Sequence, residues 1–169
     1  MSDSAIIAFY RGHGTDHAGR RMADILAWDH RRLEMVHDYI QWLFPLPEAS
    51  RFNPDAPLLS AADKAEFRAS PELQAKVLQS LDVMLGFYGL ARTPSDIQRG
   101  PVWQSTQHWL APLNHNHLRL TRILLFLGHI GLPDVAAQLL KVLNDIAVNE
   151  GHKMVSPRTL SFWHDAVPR

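Results

Sequence analysis

The sequence contains no cysteine, which excludes disulfides, thiolate metal sites and a cysteine nucleophile. It also lacks a surplus of either charge: 17 basic residues balance 17 acidic ones, and only four of the basic ones are lysine. No overall field draws such a chain to nucleic acid or to an anionic membrane. Long hydrophobic runs are missing too. Stretches such as 123–127 fall far short of the ~20 residues a membrane helix requires, and residues 1–12 lack the pattern of a signal peptide. There is no Gly-x-Ser-x-Gly elbow, no Gly-x-Gly-x-x-Gly turn and no Gly-x4-Gly-Lys-Ser/Thr loop. These absences lead to the expectation of a cytoplasmic chain with no cofactor, no nucleic-acid partner and no transmembrane segment, and they point away from an enzyme.

What is present suits one packed domain. The 169 residues are 46% hydrophobic and 20% charged, which is ordinary globular composition. Apolar residues recur at helical spacing almost throughout, and no stretch alternates at period two. A short first helix is expected within 19–28, carrying Met22, Ile25 and Leu26. Asp29 then caps a central helix over 30–43, whose wheel gives a wide apolar arc of Leu33, Met35, Val36, Tyr39, Ile40, Trp42 and Leu43. Pro45 and Pro47 stop it, and an ordered connector follows, pinned by Phe52, Leu58 and Leu59. Ser60 caps a helix to Phe67, and Ser70-Pro71 opens another that runs to Gly89. Residues 93–101 read as a second connector, followed by a short helix over 102–110 in which Trp103 and Trp109 are expected to be buried. Asn114 caps a long helix through Ile130, Pro133 opens the next, and Ser156-Pro157 starts the last. The expected fold is all-α: a single irregular helical domain over 1–169, of six to eight helices with Pro-rich connecting loops.

Two polar stripes carry the candidate chemistry. On the central helix, His30, Glu34 and His37 stand at i, i+4 and i+7, so they share a face with Asp38 and Gln41 beside them. Glu34-x-x-His37 has the spacing of a di-iron half-motif, but the chain offers no second Glu-x-x-His. A metal site on His30, Glu34 and His37 that activates water is therefore an alternative, set against a carboxylate–histidine network that fixes packing. A second set, His13, Asp16 and His17, reads as a solvated loop before the first helix. The third candidate is a span without acids between Asp96 and Asp134, in which His115, Arg119, Arg122 and His129 line one stripe with Asn116 beside it. Arginines on so apolar a helix need a carboxylate partner, solvent or an anionic ligand. Glu34 and Asp38 are the partners best placed by composition, so the two stripes are expected to face one another. Structural pairing and a ligand site both fit that arrangement.

Residues 33–53, LEMVHDYIQWLFPLPEASRFN, resemble the signature of the opioid growth factor receptor conserved domain family. Phe9-Tyr10, Ala56-Pro57-Leu58, MLGFYGL at 84–90 and NHNHLRLTRIL at 114–124 extend the likeness over about 9–131, leaving 132–169 as further helices of the same domain. The resemblance implies an all-α domain and supplies no catalytic residues. Animal members are described as non-classical receptors for an opioid pentapeptide, found at the nucleus, with long additional segments. This chain looks more like a stand-alone microbial member, so a nuclear location is not carried over. The expected function is a receptor-like module binding a peptide or a small anionic or zwitterionic ligand. Its residues would be Glu34, His37, Asp38, Gln41 and Trp42 from the first motif, with Asn116, Arg119 and Arg122 from the second. Arg119 and Arg122 would hold a carboxylate, and Glu34 and Asp38 a positive group. A purely structural protein-interaction domain is the remaining alternative.

Overall fold

Helices dominate the computed structural model, which describes residues 2–51, 53–151 and 154–167. The chain divides into two compact units, Met1–Leu81 and Asp82–Arg169.

In the first unit, α1 (Ala5–Arg11) is held at one end by the Ser4 hydroxyl, which accepts the amide of Ile7, and ends at Gly12 in the left-handed conformation. Its Ile6, Ile7, Phe9 and Tyr10 are buried, so a helix stands where the sequence reading left the chain unassigned. The α2 helix (Met22–Leu26) falls inside the expected 19–28 segment. The central helix of 30–43 is not continuous. It forms α3 (His30–Met35), capped by Asp29, and α4 (Ile40–Leu43), with Val36 extended between them at φ −90°, ψ 130°.

The break has a local and a tertiary cause. Val36, His37 and Asp38 are weak helix formers in succession. The Tyr39 hydroxyl donates to the Leu33 carbonyl at 2.7 Å, occupying the acceptor that a continuing helix would offer to His37. The apolar arc changes accordingly: Leu33, Tyr39, Ile40, Trp42 and Leu43 are buried, whereas Met35 is 64% exposed.

The connector after α4 is tied back by the Leu59 amide, which donates to the Leu46 carbonyl at 2.9 Å. Leu59 is buried as expected and Leu58 is not; Phe52 lies outside the described residues. A reciprocal Ser60–Asp63 capping box opens α5 (Ala61–Ala69), and α6 (Pro71–Tyr88) begins where Ser70-Pro71 predicts. Phe67 of α5 packs edge-on against Tyr10 at 5.1 Å. Burial pushes the Tyr10 hydroxyl well above its ordinary proton affinity, with the Ser80 hydrogen bond opposing.

In the second unit, α6 ends at Gly89, whose φ of +79° turns the chain into a strand. Strands β1 (Leu90–Arg92) and β2 (Ile97–Arg99) pair antiparallel with Ala91 opposite Gln98, where a plain connector was expected. Each has three residues, too few for an alternating pattern to register. Thr93 and Asp96 close the turn by paired backbone and hydroxyl bonds. The expected helix over 102–110 is one 3-10 turn, Trp103–Ser105, because the Ser105 and Thr106 hydroxyls both bond back to the Val102 carbonyl. Trp103 and Trp109 are buried.

The remaining helices are α7 (His115–His129), α8 (Pro133–Ile146), a π turn over Ala147–Gly151 and α9 (Pro157–Ala166). Asn114 caps α7 and Ser156 caps α9 as the sequence predicts. Buried donors lock this unit: the Trp109 indole donates to the Tyr88 carbonyl, and the Trp163 indole to the His117 carbonyl, both at 3.1 Å.

Candidate functional site

Asp38 is the residue of the first stripe around which the first unit builds a defined arrangement. Released from a helix by the break at Val36, it accepts the Arg20 Nη2–H on one oxygen and the His17 Nε2–H on the other, each at 2.9 Å. Arg20 is anchored from behind by Asp16, whose second oxygen also takes the amides of Ala18 and Arg20, each at 2.9 Å. Burial opposes ionisation of Asp38, but the hydrogen bonds from Arg20 and His17 outweigh it and hold the carboxyl below the ordinary range. Burial likewise opposes the Arg20 charge, and Asp16 and Asp38 more than compensate. Because 42% of the Asp38 side chain is exposed, this is a fixed carboxylate that water and solutes reach.

The other side of His17 is closed by α4. The Trp42 indole Nε1–H donates to His17 Nδ1 at 3.1 Å, with the two rings within 17° of parallel. Trp42 itself is buried and packs against Phe9 at 5.4 Å. Gln41 is buried and takes the Asn53 amide on its own oxygen at 3.4 Å. Glu34 on α3 is half-buried, and His37 sits exposed in the break. Next to the cluster, the Trp28 indole lies under Arg20 at 5.3 Å and under the exposed Arg32 at 4.5 Å.

This arrangement corrects the sequence reading in two respects. His30, Glu34 and His37 do not share one helix, since α3 ends before His37. Among the described residues, no group of three or more histidines and carboxylates is placed to hold a metal ion. The loop carrying Asp16 and His17, read as solvated, supplies half of the cluster, while His13 pairs with Asp3 at 2.9 Å. Arg20 and Trp28 are not among the residues that the sequence pattern singles out. The four-residue spacing of Asp16 and Arg20 was a visible signal for one of the two contacts of Arg20.

The second stripe lies on α7 in the second unit. Asn116 and Arg119 are buried and Arg122 is half-buried. Asn116 Oδ1 accepts from the Tyr88 hydroxyl at 3.2 Å and from Arg119 Nη1 at 3.4 Å. Close by in sequence, His117 donates through Nε2–H to the Trp109 carbonyl, 2.8 Å away. Burial lowers the His117 pKa, against the opposing effect of that bond. The hairpin and α8 also frame a groove of about 490 Å3, crossed by an Arg99–Asp145 ion pair at 2.8 Å. None of the described helices is long and apolar enough to cross a membrane.

Known proteins with similar sequences match most of this chain. The family model described as the opioid growth factor receptor (OGFr) conserved region covers residues 7–169. Mouse (Mus musculus) opioid growth factor receptor is 36% identical over 129 residues, which is 75% of this chain and 20% of that protein. Mouse opioid growth factor receptor-like protein 1 is 36% identical over 138 residues, 80% of this chain and 30% of that protein. The Xenopus tropicalis receptor-like protein 1 is 35% identical over 116 residues, 68% of this chain and 22% of that protein. The chain thus spans less than a third of the length of the curated relatives it matches. No solved structure matches it. With the conserved region matched from residue 7 to the last residue, the chain belongs to the opioid growth factor receptor family.

Proposed function

We propose that this domain is a recognition module for a peptide or small zwitterionic ligand, with Asp38 as the point that receives a positive group. The observation that supports it is a carboxylate kept ionised and oriented by two donors while remaining open to solvent. Glu34 and His37 precede Asp38 along the chain and add charge and hydrogen bonding, while Gln41 and Trp42 form the backing from α4. The exposed Arg32 guanidinium, over the Trp28 ring, suits a carboxylate of the same ligand. Asn116, Arg119 and Arg122 are proposed as the anion-holding set of the second unit. One relative is named an opioid growth factor receptor and another a receptor-like protein, and a peptide ligand is the form of the proposal that follows those names.

Titration of that growth-factor peptide into the intact chain, read by calorimetry and tryptophan emission, tests the reading. Binding that weakens at least tenfold in D38N and in R32A, with circular dichroism unchanged, is expected. Absence of binding at millimolar peptide would overturn it.

A protein-interaction reading draws on one specific observation. Leu113 and Leu118 flank the α7 cap at the positions where a hydrophobic staple would form, yet they are 97% and 55% exposed. Light scattering that shows a stable oligomer in the unmodified chain, lost in L113S/L118S, would favour this second reading.

A further inference from the structure

We propose that His17 is a proton-operated latch: its neutral imidazole ties the 12–21 loop to Trp42 of α4, and protonation releases the indole. The proposal stands apart from the ligand reading, because it concerns only bonds within the chain. Its basis is the pairing of the two ring nitrogens. Nδ1 accepts from an indole N–H, a group that donates and cannot accept, so its lone pair must be free. Nε2 faces the Asp38 carboxylate, which in its ionised form only accepts, so the ring proton belongs there. One tautomer satisfies both contacts, and the imidazolium satisfies only one.

Adding a proton to Nδ1 points two N–H groups at each other, and the Trp42 contact cannot survive in that form. The Asp38 contact gains at the same moment, because a hydrogen bond becomes an ion pair. The charged group bonded to the ring is Asp38, whose other oxygen takes Arg20, with Asp16 behind Arg20. From α1, Phe9 packs against the Trp42 indole and brings no charge. Protonation therefore transfers the loop from two anchors on this side to one. His17 and Asp38 stay joined, and the buried indole loses its acceptor.

Nitrogen-edited spectra of the intact chain between pH 8 and pH 5 test the latch. The His17 ring signals and the Trp42 indole N–H are expected to move with a common inflection. The indole should exchange with solvent at least tenfold faster on the acid side. H17N, which offers an amide oxygen that does not titrate, is expected to hold the Trp42 signal constant. A Trp42 signal that stays fixed while the His17 ring titrates would overturn the latch. Ring-nitrogen shifts placing the proton on Nδ1 at pH 8 would also overturn it, and they decide the question should H17N fail to fold.

Discussion

The carboxylate of Asp16, whose side chain has no exposed surface, receives the Nε–H of Arg20 at 2.7 Å. The pair fastens the loop between α1 and α2 and aims Arg20 at Asp38. Removing Asp16 leaves Arg20 with the Asp38 contact alone, and losing a hydrogen bond between charged groups costs about 1.5–3 kcal/mol. Asp16 also holds two backbone amides, so their acceptor vanishes at the same time. D16A is expected to lower the urea midpoint accordingly. A change below about 0.5 kcal/mol, the level of an ordinary surface substitution, would show the loop to be held by other contacts.

Gly89 offers a sharper test of backbone geometry. A Cβ built there would lie 1.9 Å from Thr106 Oγ1, and the φ of +79° disfavours any side chain. The backbone penalty alone is about 1–2 kcal/mol, and the overlap adds to it. G89A is expected to destabilise the chain by more than that penalty. In a T106A background the hydroxyl overlap is gone, while the Cβ of residue 106 at 3.0 Å and the Trp103 Cα at 3.2 Å stay close, so the cost should shrink but remain above the backbone part. Equal costs in both backgrounds would place the strain elsewhere.

His117 predicts the direction of a pH effect. Its folded pKa is lowered by burial, so the neutral ring is the form the fold accepts. Above about pH 6.5, where an unfolded histidine is also neutral, this stabilisation is complete. Below that value the unfolded chain takes up the proton first and stability falls, by at most about 1.4 kcal/mol per pH unit. The decline ends once pH passes below the folded value. H117Q keeps a donor for the Trp109 carbonyl and is expected to flatten this part of a stability–pH curve measured from pH 8 to 5. An unchanged slope would assign the effect to another group.

The Asn114 side chain accepts the Asn116 amide at the start of α7. N114A removes that cap, and a loss of about 1 kcal/mol is expected in thermal unfolding. N114D should come within a few tenths of the unmodified chain. If both behave alike, the α7 end is satisfied by other donors and acceptors.

Elements bounded by local chemistry could be read from the sequence. Ser60, Ser70-Pro71, Asn114 and Ser156-Pro157 each mark a helix start, and their signals lie within three residues of the bonds they make. The same sort of signal is present for α1 in Ser4 and Gly12, but the apolar stretch between them spans only seven residues, too few to show a helical period clearly. The break at Val36 was hidden for a different reason. A wheel over 30–43 measures periodicity, and the Tyr39–Leu33 bond that ends it leaves periodicity intact. The family motif located Asp38 and Trp42, but the partners of Asp38 are 18 and 21 residues away in a glycine-rich loop. Spacing along one helix carries no information about such pairs.

Asp16 and Asp38 are two acids joined to a single guanidinium, with an imidazole as the fourth member. While the ring is neutral, the quartet holds one unbalanced negative charge near the surface; an imidazolium cancels it. Ammonium-bearing solutes should therefore concentrate beside Asp38 while the ring is neutral and disperse from it once the ring is an imidazolium. That electrostatic attraction weakens as added salt shortens the screening length.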